Sequence, residues 1–311
     1  MAVLLTGGFG HIGSWVCHEL AKQGRQVVVL DRASRRLSYL ERLQDFIQYE
    51  SADLLDQAAI HHVFKQYEGQ LEGIIHVGGL MGGPNFATDP PRHIRINTMG
   101  TVDLLEAARS FGVKKFVYIS SGAVYGARDD IPSENDPVAP SDLYGAAKAS
   151  AEFFGLQYAN EFGIDFRAVR VYFAYGPGRL PSELYPLYNA VFGCLEGRTT
   201  IELPAGADQA IDFTFVRDIA RAILLVYDAP KLKHRQYNCT SGVCHRLPEL
   251  IEKVSRIAGK PVSPKIGPGK IMPRGPSLES SRLREELGFA PQYDIEKGVK
   301  EYLDWIRQLE G

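Results

Sequence analysis

The chain has 311 residues, 45% of them apolar, and a formal net charge of −2. That balance excludes a nucleic-acid partner recruited by bulk positive charge and suits one large domain or two intimately packed ones. No stretch is long enough to span a bilayer, and the sequence opens directly on an apolar strand with no basic, leader-like segment, so a cytoplasmic protein without a membrane partner is expected.

The first apolar run, Val3–Leu5, empties into Thr6-Gly7-Gly8-Phe9-Gly10-His11-Ile12-Gly13-Ser14, and a helix follows over Ile12–Lys22 with Ile12, Val16 and Leu20 on its apolar face. Glycines after a strand let the chain turn sharply and let backbone approach a pyrophosphate, while the N–H groups of the next helix face the negative charge. A second strand, Gln26–Leu30, ends in Asp31. A carboxylate there accepts hydrogen bonds from ribose hydroxyls and repels a 2′-phosphate, which favours NAD over NADP. Arg32, Arg35 and Arg36 leave three possibilities open: an adenine contact, a 2′-phosphate contact, or solvated side chains.

Further strand-like runs at Phe46–Tyr49, Gly73–Val77, Lys115–Ser120 and Asp165–Val171 alternate with helical stretches. This alternation is the pattern of an α/β fold, a doubly wound parallel Rossmann sheet. Ligands of such sheets lie beyond the carboxyl ends of the strands, which directs attention to Asp53-Leu54, Gly78–Asn85, Ser120–Tyr125 and Tyr172–Arg179. From Tyr172 the alternation breaks down, with short helices expected at Leu184–Glu196, Leu247–Ala258, Ser280–Leu287 and Asp294–Leu309, and a core helix at Phe215–Tyr227 between them. The expected division is an NAD-binding domain of residues 1–171 plus 213–235 and a smaller, interleaved C-terminal substrate-binding domain of residues 172–212 plus 236–311. Cys17, Cys194, Cys239 and Cys244 are scattered, with no C-x-x-C pair and no neighbouring histidine cluster. They read as reduced thiols packed as small apolar groups, with no metal site.

Tyr144 and Lys148 lie four residues apart, hence on one helix face, with Ser141 or Asp142 placed to cap it. The same spacing recurs at Tyr227/Lys231, where Pro230 interrupts it, and at Tyr293/Lys297, which opens the C-terminal helix away from any expected strand end. Only Tyr144 follows a strand ending in hydroxyls, Ser120-Ser121-Gly122-Ala123-Val124-Tyr125. The competing reading is a packed aromatic beside an exposed lysine.

With Thr6–Gly13, Asp31, Asp53-Leu54, Asn97-x-x-Gly100-Thr101, Ser121, Tyr144/Lys148, Tyr175-Gly176-Pro177, Asp212-Phe213-x-x-Val216-x-Asp218 and Leu287-Gly288-Phe289-x-Pro291 in this order, the chain resembles the extended short-chain dehydrogenase/reductases of the NAD-dependent epimerase/dehydratase family. Strand-end position and resemblance together place Gly7, Phe9, Gly10, His11, Ile12, Gly13, Asp31 and Arg32 at the cofactor. They add Asp53, Leu54, Val77, Gly78, Gly79, Asn97 and Tyr172, beside Tyr144 and Lys148. Ser121, Tyr144 and Lys148 are the implied catalytic set, and Met81, Asn85, Ser121, Gly122, Phe173 and Arg179 are expected to meet the substrate. Tyr144 would take a proton from a substrate hydroxyl while hydride leaves the same carbon for NAD. A phenol with a reference pKa near 10 works near pH 7 only if nearby positive charge favours its anion by about 4 kcal/mol. Lys148 and the oxidised nicotinamide are the expected charges, and Ser121 would fix the reacting oxygen.

The chain departs from the family pattern in places. Nucleotide-sugar members usually carry Asn three residues beyond the arginine of the sixth strand, and Arg before the Asp of the Asp-Phe segment; this chain has Phe173 and Ile211. Losing an amide and a guanidinium makes a dianionic linker costly to hold, unless Arg179, Arg217 or Arg274 takes over. Dehydratases carry an acidic pair after the catalytic hydroxyl, where Gly122-Ala123 stands here. The glycines of Val77-Gly78-Gly79-Leu80-Met81-Gly82-Gly83-Pro84 suggest either close backbone approach near the nicotinamide, a mobile substrate loop, or plain flexibility. The first expectation is therefore an NAD-dependent dehydrogenase of a free sugar, sugar acid or hydroxy acid. The alternative is a nucleotide-sugar epimerase with tightly bound NAD, and a non-catalytic dinucleotide sensor is the remote one. Ala146, Ala147, Ala149, Ala151, Phe153, Phe154 and Leu156 lie on more than one face of the Tyr144–Tyr158 helix, so a homodimer covering the excess is expected, with the Asn97–Arg109 helix as its neighbour.

Overall fold

In the computed structural model, which describes residues 1–32, 37–81, 88–184 and 186–310, seven strands form one parallel sheet. They are β1 (Ala2–Thr6), β2 (Gln26–Asp31), β3 (Ile47–Ser51), β4 (Leu71–His76), β5 (Lys115–Ser121), β6 (Asp165–Val171) and β7 (Gln236–Cys239). Their order across the sheet is β7-β6-β5-β4-β1-β2-β3. The chain winds outward from β1 to β3, returns to β4 on the other side of β1, and winds outward again, so a crevice opens where β1 and β4 diverge. Continuous apolar runs such as Val27–Leu30 suit strands buried on both faces. One core packs α1 (His11–Lys22) and α5 (Val216–Asp228) on the sheet through Val16, Leu20, Ile219 and Ile223. The opposite core seats α2 (Gln57–Gln66), α3 (Gly100–Ser110) and α4 (Leu143–Phe162) through Phe64, Leu104, Leu105 and Ala151.

The smaller layer is built around aromatic residues, with Tyr175, Phe192, Phe213, Phe215 and Tyr302 in one buried cluster. Its strands are two residues long, such as Ala174–Tyr175 paired with Thr214–Phe215. The helix expected over 184–196 is instead a short helix, Pro186–Phe192, followed by a 3-10 turn at Gly193–Glu196. Two stretches placed by sequence in the smaller domain join the main sheet instead. Gln236–Cys239 pairs with β6, and Leu283 of the Ser281–Leu287 helix and Phe289 enter the sheet core. A four-residue strand carries too little periodicity to be read; the open edge of β6 recruits it. Among the described residues no helix is long and apolar enough to cross a membrane, and all four cysteines are free, with only Cys244 exposed.

Candidate active site

The crevice beyond β1 and β4 is shaped by close backbone approach. Gly7 has φ +67°, and a Cβ there would sit 2.7 Å from Gly78 Cα. A Cβ on Gly13 would strike the Gly7 carbonyl oxygen. The helix that follows starts at Gly10 with no side-chain cap and no acid in its first turn, so its N-terminal end offers an anion-binding site. Asp31 Oδ2 accepts from Phe9 N–H at 3.1 Å and Oδ1 from Arg32 N–H at 2.8 Å, which sets the carboxylate at the rim of the glycine turn. This cradle fits a dinucleotide: room where side chains cannot go, amides for a pyrophosphate, and an acid for the ribose. The Arg32 side chain is exposed. Arg35, Arg36, Gly82, Gly83 and Asn85 lie outside the described residues.

A buried hydrogen-bond chain sets the far wall. Gly78 N–H donates to Thr6 Oγ1 (3.0 Å), Thr6 Oγ1 meets His76 Nδ1 (2.6 Å), His76 Nε2 meets Thr101 Oγ1 (3.0 Å), and Thr101 Oγ1 donates to the Asn97 carbonyl (3.1 Å). Since the Thr101 hydroxyl proton goes to the Asn97 carbonyl, Thr101 Oγ1 accepts from His76 Nε2–H, and the unprotonated Nδ1 accepts from the Thr6 hydroxyl. Burial pushes His76 down to about 3, with the Lys148 charge adding to the effect, so the ring is neutral. Asn97 lies in a π-turn, Arg95–Met99, ahead of α3; its Oδ1 accepts from Leu80 N–H (2.8 Å) and its Nδ2 donates to the Leu80 carbonyl (2.9 Å). A Cβ on Gly79 would lie 2.6 Å from Asn97 Oδ1, and one on Gly78 2.9 Å from Thr6 Oγ1. At Gly78 and Gly79 glycine therefore serves close approach. Val77 packs partly buried against the sheet core, Leu54 is buried under Gly100, and Asp53 Oδ1 accepts from Leu55 N–H.

Ser121, Tyr144 and Lys148 are brought together by two elements. Ser121 ends β5, where its Oγ also accepts from Ala123 N–H; α4 begins under Asp142, whose Oδ1 accepts from Gly145 N–H at 2.7 Å. Ser121 hydrogen-bonds the Tyr144 phenol. Burial pushes that phenol above its ordinary value, the Ser121 bond and the Arg274 charge pull it back down, and Asp142 pushes it up. Lys148 Nζ donates to the Ile119 carbonyl (2.9 Å) and stands 6.0 Å from the Tyr144 ring centre. Burial lowers its ammonium to about 8 against the support of Glu152. Arg274 thus adds a cation that counters burial at Tyr144, one the sequence did not single out for this role, beside Lys148 at 6.0 Å from the ring centre.

Arg274 comes from the smaller layer. Its Nη2 donates to Asp142 Oδ2 at 2.6 Å, and its Nη1 is shielded from solvent without a hydrogen-bond partner among the described residues. The other two candidate arginines point elsewhere: Arg179 pairs with Glu183, and Arg217 with Glu301 while stacking on Trp15 and Tyr293. Ile211 is buried in the aromatic layer and has no place in the cleft. Asp212 beside it accepts from Gly242 N–H (2.8 Å) and Ser277 Oγ (2.7 Å), tying the substrate-side loops together. Tyr172 packs over Gly122, where a Cβ would lie 2.5 Å from its ring, and its hydroxyl donates to the Gly275 carbonyl (2.5 Å). Met81 is exposed at the edge of the described segment. Sequence reading missed Tyr188, which adjoins Tyr144 and Tyr172; no spacing rule links these residues.

The sequence profile of the NAD dependent epimerase/dehydratase family matches residues 3–240. The chain is 31% identical to the UDP-glucose 4-epimerase of Mycolicibacterium smegmatis, over 99% of each chain. Its fold matches the UDP-glucose 4-epimerase of Thermotoga maritima, solved with UDP-glucose, at a TM-score of 0.89, 26% identity and full coverage of both chains. The UDP-glucose 4-epimerase of Thermus thermophilus, solved with NAD, matches at 0.86, with 25% identity and 99% coverage of both. None of these relatives supports the oxidation of a free sugar, sugar acid or hydroxy acid expected from Phe173 and Ile211.

Proposed function

The chain belongs to the NAD-dependent epimerase/dehydratase family, and from that premise we propose that it is a nucleotide-sugar 4-epimerase that keeps its NAD through the catalytic cycle. One observation carries the choice of epimerase over dehydratase. Gly122 is sealed beneath the Tyr172 ring and Ala123 is buried, so the acid pair that elimination needs has no room after Ser121. What remains can move a proton and guide a hydride without driving the loss of water. Arg274 supports the nucleotide-sugar part: its unspent Nη1 is a cationic donor beside Tyr144, able to meet a diphosphate that Phe173 and Ile211 cannot.

The glycine turn, Asp31 and the start of α1 would hold NAD, and Lys148 with Asn97 borders its nicotinamide end. NAD supplies the hydride acceptor that later returns hydride to the opposite face of the sugar carbon. Tyr144 takes the hydroxyl proton at its phenolate oxygen and gives it back after the hydride returns. Ser121 holds the reacting oxygen at a fixed angle, and Lys148 favours the Tyr144 anion through its charge. The test follows absorbance and sugar configuration together: the holoenzyme converts UDP-glucose to UDP-galactose with no net NADH. Stoichiometric NADH with an oxidised free sugar would overturn this reading.

A homodimer accompanies it. Phe153 and Phe154 on α4 stay 55% and 46% exposed in the single chain, and Met99, just ahead of α3, is exposed on the same side of the sheet. Pairing of α3 and α4 across a two-fold axis buries them. A monomer mass by light scattering at micromolar concentration would refute it. The free cysteines suit a reducing, cytoplasmic setting.

A further inference from the structure

Asp142 serves two groups with one carboxylate. Its Oδ1 accepts from Gly145 N–H at the start of α4, and its Oδ2 accepts from Arg274 Nη2 at 2.6 Å. The backbone around Arg274 is fixed on both sides. Arg128 N–H donates to the Pro273 carbonyl (3.2 Å), Gln209 Nε2 to the Arg274 carbonyl (3.4 Å), and the Tyr172 hydroxyl to the Gly275 carbonyl. A Cβ on Gly275 would strike the Asp130 carbonyl oxygen. Only the Arg274 side chain is left to respond to a ligand.

Its pairing differs from that of the arginines that brace the fold. Arg109, Arg128, Arg167 and Arg170 each give Nε and Nη2 to a single carboxylate, the two-pronged geometry of a strong pair. Arg274 gives Asp142 one nitrogen, and its Nη1, shielded from solvent, has no hydrogen-bond partner among the described residues. A shielded cationic donor without an acceptor is a destabilised arrangement that a brace has no reason to keep. The Arg274 side chain is 17% exposed and that of Asp142 47%, so the acid can turn to water far more easily than the arginine can. The pair is therefore one that opens at the acid.

We propose that Asp142 is a displaceable counter-ion for Arg274: it holds the guanidinium until a diphosphate takes its place, and it takes the arginine back as product leaves. The inference rests on the nucleotide-sugar reading above and adds to it a control on affinity. The ligand competes with a carboxylate that the chain itself supplies, so its apparent affinity is reduced to the fraction of molecules in which the pair is open. For a half-exposed, singly bonded ion pair the reduction is about three- to tenfold. Asp142 is thus a positioning residue that acts through Arg274.

Calorimetric titration of the NAD-loaded protein with UDP and with uridine tests it, in the wild type, Asp142→Asn, Asp142→Ser, Arg274→Gln and the double variant Asp142→Asn/Arg274→Gln. Asn and Ser both cap helices, so either keeps the start of α4 while removing the charge. The 142 variants bind UDP about three- to tenfold more tightly than the wild type, and bind uridine, which has no phosphate, unchanged. A merely structural role of Asp142 would weaken both ligands. In the Arg274→Gln background the gain from Asp142→Asn disappears. No gain in UDP affinity in either 142 variant overturns the inference while sparing the nucleotide-sugar reading. So does a gain that survives in the double variant, since it reflects only the removal of a repelling charge. Wild-type protein that fails to bind UDP would overturn that reading, and this inference with it.

Discussion

Along the β1–β4 crevice the shape is made by backbone: Gly7 against Gly78, Gly13 against the Gly7 carbonyl, Asp31 receiving main-chain N–H groups. Across the cleft, from Phe173 to Arg274, it is made by side chains: a half-buried ring at φ +36°, an aromatic layer, and a guanidinium joined to the cap of α4. A backbone-built surface has no tolerance for an added Cβ, because main chain cannot move aside without breaking the sheet. A side-chain wall can be rebuilt one residue at a time, so the ligand it selects can change while the cofactor does not. Phe173 shows that freedom, its ring standing where the resemblance implies a polar anchor.

This contrast can be attacked from both sides. The largest effect is expected from Tyr144→Phe, which removes the proton acceptor and lowers turnover by about 10²- to 10⁴-fold with bound NAD unchanged; loss of NAD in the same variant would mean that the tyrosine belongs to the cofactor side. On the backbone-built side, Gly13→Ala weakens NAD retention on the order of 10²-fold, read from NAD released on denaturing the purified protein. Full retention would break the contrast outright. Glu152→Gln probes the scaffold that serves both sides. Arg170 Nη2 meets Glu152 at 2.6 Å with both side chains buried, and Arg170 also donates to Tyr125 at 2.8 Å. Leaving the arginine unmatched costs about 3–5 kcal/mol, seen as a fall in melting temperature.

A pH series sharpens the comparison further. Burial lowers the Lys148 ammonium from 10.5 to about 8. Its folded value lies below that of the unfolded chain, so between those two limits the unfolded chain binds more protons and stability from this group rises with pH. Turnover moves the other way, falling as pH rises through about 8 because the neutral amine no longer favours the Tyr144 anion. A rate profile that tracks the melting temperature instead would remove Lys148 from the chemistry. The smallest effect is expected from Asp142→Ala, which removes the α4 cap at a cost of about 1 kcal/mol measured by denaturant titration. It also frees Arg274, so Tyr144 responds in the rate profile while Lys148 does not.

Much of the fold could be read from local pattern. Apolar runs alternating with helices indicate the doubly wound sheet, and the glycine spacing after β1 marks its crevice, because a glycine requirement and a strand period are properties of a few adjacent residues. Tyr144 and Lys148 share a face for the same reason. The strand Gln236–Cys239 escaped because four residues show little period, and it exists because β6 offers an open edge. The glycines at 78 and 79 left three readings open until Thr6 and Asn97 were seen against them.

By itself, then, the sequence determined the sheet, its winding, the nucleotide crevice and the helical spacing of the tyrosine and lysine, all of which follow from propensities acting over a turn or a strand. Only the tertiary structure decided which arginine faces the phenol, that Gly122 is closed to an acid, and that Phe173 stands strained in an aromatic wall. Arg274 and Asp142 lie far apart in the chain, as do Gly122 and Tyr172. Arg274 meets Asp142 where the smaller layer packs on the sheet, and Gly122 meets Tyr172 because β5 and β6 pair with Ser121 opposite Val171; no local rule carries either.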